Sequence, residues 1–408
     1  MKTSKLSERH FKSMNNINIP KYIDVAIIGG GMAGLSAAAA LSEMGMKNIA
    51  VFESEKLAHS NGSSFGESRM YREMYSDPVL CKLAKESNRL WAEQESVSKY
   101  PLRQEHGLLF YGESWDEETI EGSIPGAQKV MDEQNIPYEF LTSEKISERF
   151  PIKPKDHFVG LFEPSAGAIL SDRAIENWIQ IIKKKGNHIF ESCRVLKVDD
   201  KNNSLEIEGN KSVYFDQLIV ASGMWTNELL EHVGLKLDIK IWPMLWAHYL
   251  VDEKFLKSYP QWFCFQKSEG DDGGLYYGFP VLSRNKDNIP RIKVGIDWAP
   301  PDLIGSDNQV MKKPFIEPLK KILDDFIFNN LDGVINCDET FVSPYTMTKD
   351  VNFILDKPKS NITVFSGGSG QAFKFAPLIG KSLAEKALNK NCSFDLSCWE
   401  FDRFLARK

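Results

Sequence analysis

Cysteine is scarce in this 408-residue chain: six residues, at 81, 193, 264, 337, 392 and 398, with no C-x-x-C pair among them. Such spacing suggests neither a zinc site nor a redox dithiol, and so thin a scatter fits a reducing compartment. Basic charge is not in excess. Fifty Lys and Arg face 56 Asp and Glu, for a formal net charge of −6, which leaves no electrostatic footprint for nucleic acid. A membrane-length apolar run is also missing. The longest candidate, residues 25–41, is too short to span a bilayer and holds a glycine cluster with a better explanation. The first 20 residues are polar, lack the apolar core of a secretion signal and read as a flexible lead. The last three, Ala-Arg-Lys, are not the Ser-Lys-Leu peroxisomal address. Repeats and low-complexity tracts are absent. These absences lead to the expectation of a soluble cytoplasmic protein with no metal, nucleic-acid or membrane partner; a peroxisomal home stays open for a eukaryotic source.

What is present is ordinary globular material: 42% apolar and 26% charged residues. The length suggests two to three domains, or one large α/β unit. Ile23-Asp24-Val25-Ala26-Ile27-Ile28 is β-branched and nearly continuously apolar, the pattern of a strand buried on both faces. Gly29-Gly30-Gly31-Met32-Ala33-Gly34 follows at once, then an alanine-rich helical stretch over 35–44 with Gly45 as its stop. Residues 48–53, ending in Glu53, form the next strand and complete a βαβ unit.

Gly29-x-Gly31-x-x-Gly34 alone is a weak motif. Its position between a strand and a helix, with Glu53 24 residues beyond Gly29, makes it a dinucleotide fingerprint. The first glycine makes the tight turn, the second lets the backbone approach a pyrophosphate, and the third lets helix and strand pack closely. The helix N-terminus favours the phosphate charge. The Glu53 carboxylate accepts hydrogen bonds from ribose hydroxyls and disfavours a 2′-phosphate.

The later sequence is expected to form strands at 106–111, 188–198 and 216–223, and helices at 117–134 and 173–185. Beyond 246 the pattern turns β-rich, with strands at 247–251, 262–266, 275–279 and 291–297, then a helix over 316–328. A last buried strand, 361–366, leads into Gly367-Gly368-Ser369-Gly370 and a helix over 378–388. A single fingerprint with a late glycine turn points to FAD alone rather than FAD with a second nicotinamide domain. The fold class expected is α/β (α+β overall): a Rossmann-type FAD-binding domain with an interleaved β-rich substrate domain. The boundaries expected are 1–21 for the lead, 22–105, 155–240 and 335–395 for the FAD-binding domain, 106–154 and 241–334 for the substrate domain, and 396–408 for a tail.

Four stretches carry a family resemblance. They are the fingerprint with Glu53; Ser60-Asn61-Gly62-Ser63-Ser64-Phe65-Gly66-Glu67-Ser68-Arg69-Met70-Tyr71-Arg72; Leu275-Tyr276-Tyr277-Gly278-Phe279-Pro280 with Arg291-Ile292-Lys293-Val294-Gly295; and Tyr345-Thr346-Met347-Thr348 through Phe353-Ile354-Leu355-Asp356 to Gly367-Gly368-Ser369-Gly370-Gln371-Ala372-Phe373-Lys374-Phe375. Over about residues 22–390 the chain resembles the monomeric sarcosine oxidase group of the D-amino-acid-oxidase superfamily, with N-methyltryptophan oxidase and pipecolate oxidase. The resemblance implies a monomeric FAD enzyme that takes a hydride from a secondary or N-methylated amino acid. The imine hydrolyses, and O2 reoxidises the flavin to give H2O2.

Alternation places Arg291, Lys293, Gly295 and Asp297 on one face of a strand and Ile292, Val294 and Ile296 on the other. By pattern alone Lys293 is a solvated lysine. The resemblance instead matches it to a lysine beside flavin N5, where a fixed positive charge stabilises developing superoxide. It likewise matches Arg72 and Lys374 to a clamp on the substrate carboxylate, against the alternative of surface salt bridges. Arg69 corresponds to an arginine beside the flavin that holds the reduced anion. Tyr277 and Tyr345 correspond to cavity tyrosines, or else to core packing. Cofactor contacts are implied for Gly29, Gly31, Met32, Ala33, Gly34, Glu53, Ser68, Arg69, Val195, Ser222, Gly223, Gly367, Gly368, Gly370 and Lys374.

The departures bear on substrate and linkage. Ser343 stands where the family usually has the cysteine that joins the flavin. A serine hydroxyl is a poor replacement nucleophile, so non-covalent FAD is expected, with Cys337 only a core thiol. Family histidines become Ser64, Phe65, Gln371 and Asp297, which alters the substrate-binding set at Phe65, Asp297 and Gln371. Asp297 either meets a second cationic group on a larger substrate or pairs with Lys293 and blunts oxygen activation. An alternative activity is therefore an FAD-dependent dehydrogenase or biosynthetic tailoring oxidoreductase using another acceptor. A non-catalytic flavin sensor is disfavoured by the joint retention of Lys293, Arg72 and Lys374.

Overall fold

The computed structural model describes residues 18–113, 119–209, 211–267, 274–312 and 316–404. The backbone divides into two compact units. One comprises the residues up to Phe65, Ala174–Lys240 and those from Thr346 onward; the other comprises Gly66–Arg173 and Ile241–Tyr345. Residues 66–105, 155–173 and 335–345, grouped by sequence with the nucleotide-type pieces, fall in the second unit. Their strands explain this: Ser68–Tyr71 and Arg103–Glu105 both pair with Gly167–Leu170.

The first unit is built on a parallel sheet. Tyr22–Ile28 lies between Ile49–Phe52 and Lys211–Val220, in parallel register with both. Ile362–Ser366 continues the sheet beyond Lys211–Val220. Val25, Ala26 and Ile27 are fully buried, as expected for strands covered on both faces; a buried side chain the size of Ile or Val contributes about 1.5–3 kcal/mol. The helix Met32–Glu43 is buried nearly all round, which its small alanines allow. The helix Ala376–Ala387 packs on it so closely that a Cβ on Gly380 would lie 2.6 Å from the Ser36 carbonyl carbon.

The expected strand at 188–198 is two strands. His188–Phe190 joins Ile49–Phe52 in parallel. Ser192 then takes a left-handed conformation, φ 52°, and Val195–Asp199 starts an antiparallel hairpin with Ser204–Ile207. The break lets one apolar run serve two edges.

The second unit carries a nine-stranded sheet containing Ile239–Val251, Gln261–Phe265, Leu275–Gly278, Pro290–Ile296 and Val334–Thr348, with Leu108–Gly112 alongside. One of its cores is aromatic. Tyr111, Tyr249, Trp262 and Tyr276 are buried there, and Tyr276 stacks on Phe326 at 3.7 Å. Two helical expectations change. The helix expected over 117–134 runs Ile124–Glu133, because Ser123 caps Gly126 N–H and Pro125 fits the first turn; residues 114–118 lie outside the described set, and Thr119 and Gly122 form a bridged turn. A 20-residue helix, Pro78–Val97, was not anticipated. Its signals were present: Asp77 caps Val79 and Leu80 N–H, Pro78 follows, and Cys81, Ala84, Ser87 and Trp91 share the buried side. Among the described residues no helix is long and apolar enough to cross a membrane, no acid, His and Cys group could hold a metal ion, and no disulfide joins the cysteines.

Candidate functional site

The fingerprint folds as a cradle. Gly29 has φ 111°, and a Cβ there would sit 2.3 Å from the Ala221 carbonyl oxygen; one on Gly34 would meet the Gly29 oxygen at 1.9 Å. Gly31 precedes the helix without a side-chain cap, and Met32 N–H donates to Ser64 Oγ at 3.0 Å. Met32, Ala33 and Gly34 form the buried first turn. The Glu53 carboxylate accepts from Gly30 N–H at 2.7 Å and Glu55 N–H at 2.9 Å, with His59 Nε2 3.5 Å away. Burial pushes its pKa up, but His59 and the two N–H donors outweigh that and hold it below the usual carboxylate range. Gly29, Gly31, Glu53, Val195, Ser222 and Gly223 all line one cavity of about 490 Å³, within the roughly 300–1,000 Å³ of ligand pockets. Close backbone approach, a helix N-terminus that opens directly on the glycine turn and an ionised carboxylate with further accepting capacity fit the adenylate half of FAD. His59 and Trp225 also line this cavity; sequence reasoning did not single them out, and no motif marks them.

A second glycine turn in the same unit follows Ile362–Ser366. Gly367, Ser369 and Gly370 have φ of 65°, 44° and 71°. Gly368 N–H donates to Thr346 Oγ1 at 3.2 Å and Ser369 N–H to the Thr346 carbonyl at 2.9 Å. The turn delivers buried Gln371 and Lys374, the latter on the short helix Ala372–Phe375. Phe65 N–H turns back to the Gly62 carbonyl.

The second unit concentrates charge in a buried place. Lys293 is 7% exposed, although it lies on the alternating face anticipated for it. Its ammonium donates to the Ser68 carbonyl at 3.2 Å and lies 4.5 Å from the Trp246 ring and 5.0 Å from Phe279. Arg69 Nη1 donates to the same carbonyl at 2.7 Å. Burial, then Arg69, drives the Lys293 pKa well below its ordinary value, while Glu67 and Asp172 resist. Burial also lowers Arg69, against Tyr345, Tyr277 and Asp172. Tyr277 and Tyr345 share a hydrogen bond, and burial first, with Asp297 among the next causes, raises both phenols. Gly295 makes room for this pair, since a Cβ there would stand 2.4 Å from the Tyr277 hydroxyl. Asp297 therefore acts on the tyrosines, whereas the carboxylates acting on Lys293 are Glu67 and Asp172.

Arg72 is 1% exposed and forms a buried ion pair with Glu121, a residue the sequence reading passed over because it sits in an unremarkable polar stretch. Tyr75, Phe110 and Phe263 surround the guanidinium at 4.5–5.2 Å. Arg72 Nε and Nη1 have no hydrogen-bond acceptor among the described residues. Ser343 is buried, and its Oγ accepts from Trp246 Nε1 at 2.9 Å. Cys337 is half-buried with its sulfur 3.6 Å from Thr340 Oγ1.

A dinucleotide cradle in one unit and a dry cationic cluster in the other define a flavin-type oxidoreductase, and the chain belongs to the FAD dependent oxidoreductase family, whose model matches residues 24–386. Among particular relatives, it is 26% identical over 387 residues to monomeric sarcosine oxidase of Bacillus sp. (strain B-0618), covering 94% of this chain and 96% of that protein. It is 27% identical to N-methyl-L-tryptophan oxidase of Salmonella arizonae, covering 93% and 99%. The solved structure of NikD, described as an unusual amino acid oxidase essential for nikkomycin biosynthesis, superposes with a TM-score of 0.84 at 25% identity, covering 93% and 98%.

Proposed function

We propose that this protein is an amine oxidase that uses non-covalent FAD to oxidise a secondary or N-methylated amino acid, with O2 as the electron acceptor. The observation that carries the reading is Lys293: an ammonium enclosed by Trp246 and Phe279, with a backbone carbonyl as its hydrogen-bond acceptor. Burying a cation this way is costly, and the cost is repaid where a fixed positive charge stabilises charge that develops on a reacting partner. FAD supplies the two-electron acceptor for the donor C–N bond and, with O2, the route to H2O2.

The residues bind and orient. Arg72 Nε and Nη1 are buried donors with no acceptor among the described residues, and an unmet buried donor costs about 1–3 kcal/mol. A substrate carboxylate would satisfy them. The Tyr277–Tyr345 pair offers hydroxyls to the amine, and the cationic surroundings favour its neutral form, the form that can release a hydride. The resemblance puts Gln371, Phe65 and Asp297 where the family carries imidazoles, which supports a substrate other than the family's usual one. Fixing the donor in this geometry supplies much of the rate. Ser343 supports the non-covalent linkage, because its hydroxyl is engaged by Trp246 and is a weak nucleophile.

One observation favours a narrower variant. Glu121 already holds one edge of Arg72, which suits a tailoring oxidoreductase whose substrate brings a second cationic or N–H group for that carboxylate. The test is peroxide production with sarcosine, N-methyl amino acids, pipecolate, proline and primary amino acids, each beside its methyl ester. The reading expects a secondary amine acid to react and its ester to lose most of the activity through KM. Equal turnover of acid and ester would refute the clamp.

A further inference from the structure

Beside Lys293 lies a carboxylate that the proposed chemistry does not use. Glu67 stands over the polar face of the strand Pro290–Ile296. Its Oε1 accepts from the Ser283 hydroxyl at 2.6 Å, lies 3.1 Å from His248 Nε2 and 3.8 Å from Arg291 Nη2. The sheet register explains the convergence: His248 is directly opposite Lys293 on Ile239–Val251, and Ser283 is opposite Arg291. Arg291 precedes Lys293 by two residues, so both point to the same face. Side chains so paired across strands have Cβ atoms about 4.5–5.5 Å apart. One hydrogen bond, from Ser283, and two close basic side chains, His248 and Arg291, thus hold Glu67 above the face that carries Lys293, while the next residue, Ser68, lends its carbonyl to the ammonium at 3.2 Å.

We infer that Glu67 is a positioning residue that holds Lys293 in its charged form; its value for the oxygen reaction rests on the reading above. Lys293 and Arg69 converge on one neutral carbonyl, and a second cation this close to a buried ammonium would push the lysine proton off. The groups facing Lys293 are Arg69 from Ser68–Tyr71, Asp172 from the first turn of Ser171–Lys184, His248 from the opposite strand, Arg291 on its own strand, and Glu67. Of the two carboxylates, Asp172 is itself held above the usual range by burial and by Glu67. Glu67 is held down to about 2, because His248, Ser283 and Arg291 overcome its burial. It therefore supplies the dependable negative charge. His248 is in turn wedged against Trp246 and Phe341, with Glu339 3.7 Å from its Nδ1, so the anchor is itself fixed.

The test is the titration of Lys293 in the FAD-loaded protein, followed by NMR of 13Cε-labelled lysine with the resonance assigned by K293M. E67Q is expected to lower the midpoint by about one pH unit, in the range for loss of a nearby opposite charge; E67D is expected to restore most of it. Should E67Q reduce the yield of folded protein, Ser283→Ala loosens the same carboxylate and is expected to move the midpoint in the same direction by less. An unchanged midpoint in these variants would overturn the inference. In parallel, dithionite-reduced protein is mixed with aerated buffer over a pH series. K293M is expected to slow reoxidation roughly a hundredfold, and E67Q about tenfold above the Lys293 midpoint, as the protonated fraction falls tenfold per unit. A shifted midpoint with K293M reoxidising at the wild-type rate would uphold the role of Glu67 and refute the oxygen-activating role of Lys293.

Discussion

Glu163 offers a quantitative test of the electrostatics under the Arg72 region. It ends the strand Val159–Glu163 and is 1% exposed. Its carboxylate accepts N–H bonds from Glu73 at 2.9 and 3.2 Å and from Met74 at 3.0 Å, the two residues after Arg72. Those donors and Arg72 favour the anion, but burial and the Glu73 charge win, and the pKa is pushed up to about 7. A carboxyl raised in the native state binds more protons there than in the unfolded chain. Its contribution to stability is therefore present at low pH and lost as pH rises from its unfolded value toward 7. At about 1.4 kcal/mol per unit, wild type should lose about 2–3 kcal/mol between pH 5 and pH 8 relative to Glu163→Gln, which does not titrate. Urea unfolding of both proteins at the two pH values reads this as a change in the gap between their midpoints. Parallel pH dependence in the two proteins would refute the reasoning.

Further outcomes follow from the same geometry. Gly34→Ala must displace the Gly29 carbonyl, so the purified variant should lose most of its FAD, measured as flavin absorbance per mole of protein. FAD should appear in the supernatant after acid precipitation of wild type; flavin retained in the pellet would contradict the reading of Ser343. Glu121→Ala leaves Arg72 as a buried cation without its partner and should cost about 3–5 kcal/mol of stability, visible as a lowered thermal midpoint. Arg72→Lys keeps the charge but loses the planar fork; it should raise KM for the acid substrate while leaving KM for its methyl ester nearly unchanged.

The glycine spacing and Glu53 made the cradle legible, because Gly29 and Gly34 each face a carbonyl that a Cβ would strike and Gly31 faces the Ser64 hydroxyl. Alternation also placed Lys293 and Gly295 on one face correctly. It could not show that this face is buried, since Trp246 comes from the paired strand Ile239–Val251 and Phe279 from just past Leu275–Gly278, and the polar pattern resembles a solvated one. Glu121 and Glu67 were illegible for a related reason: a lone glutamate carries no local signal, and its meaning comes from Arg72 or from His248 and Ser283, far away in sequence. The helix Pro78–Val97 was legible through Asp77-Pro78 and was overlooked beside the stronger motifs. The strand at 188–198 misled because one apolar run holds two pairings separated by a left-handed serine.

The central claim is that a secondary amine acid reduces the bound flavin and that O2 restores it. Anaerobic mixing with sarcosine, N-methyl amino acids, pipecolate, proline and primary amino acids, followed by air, tests both halves in one cuvette. The account predicts that a secondary amine bleaches the flavin absorbance and that air returns it quickly with stoichiometric peroxide. Bleaching that persists in air would contradict the oxidase assignment, and no bleaching by any secondary amine acid would contradict the substrate class.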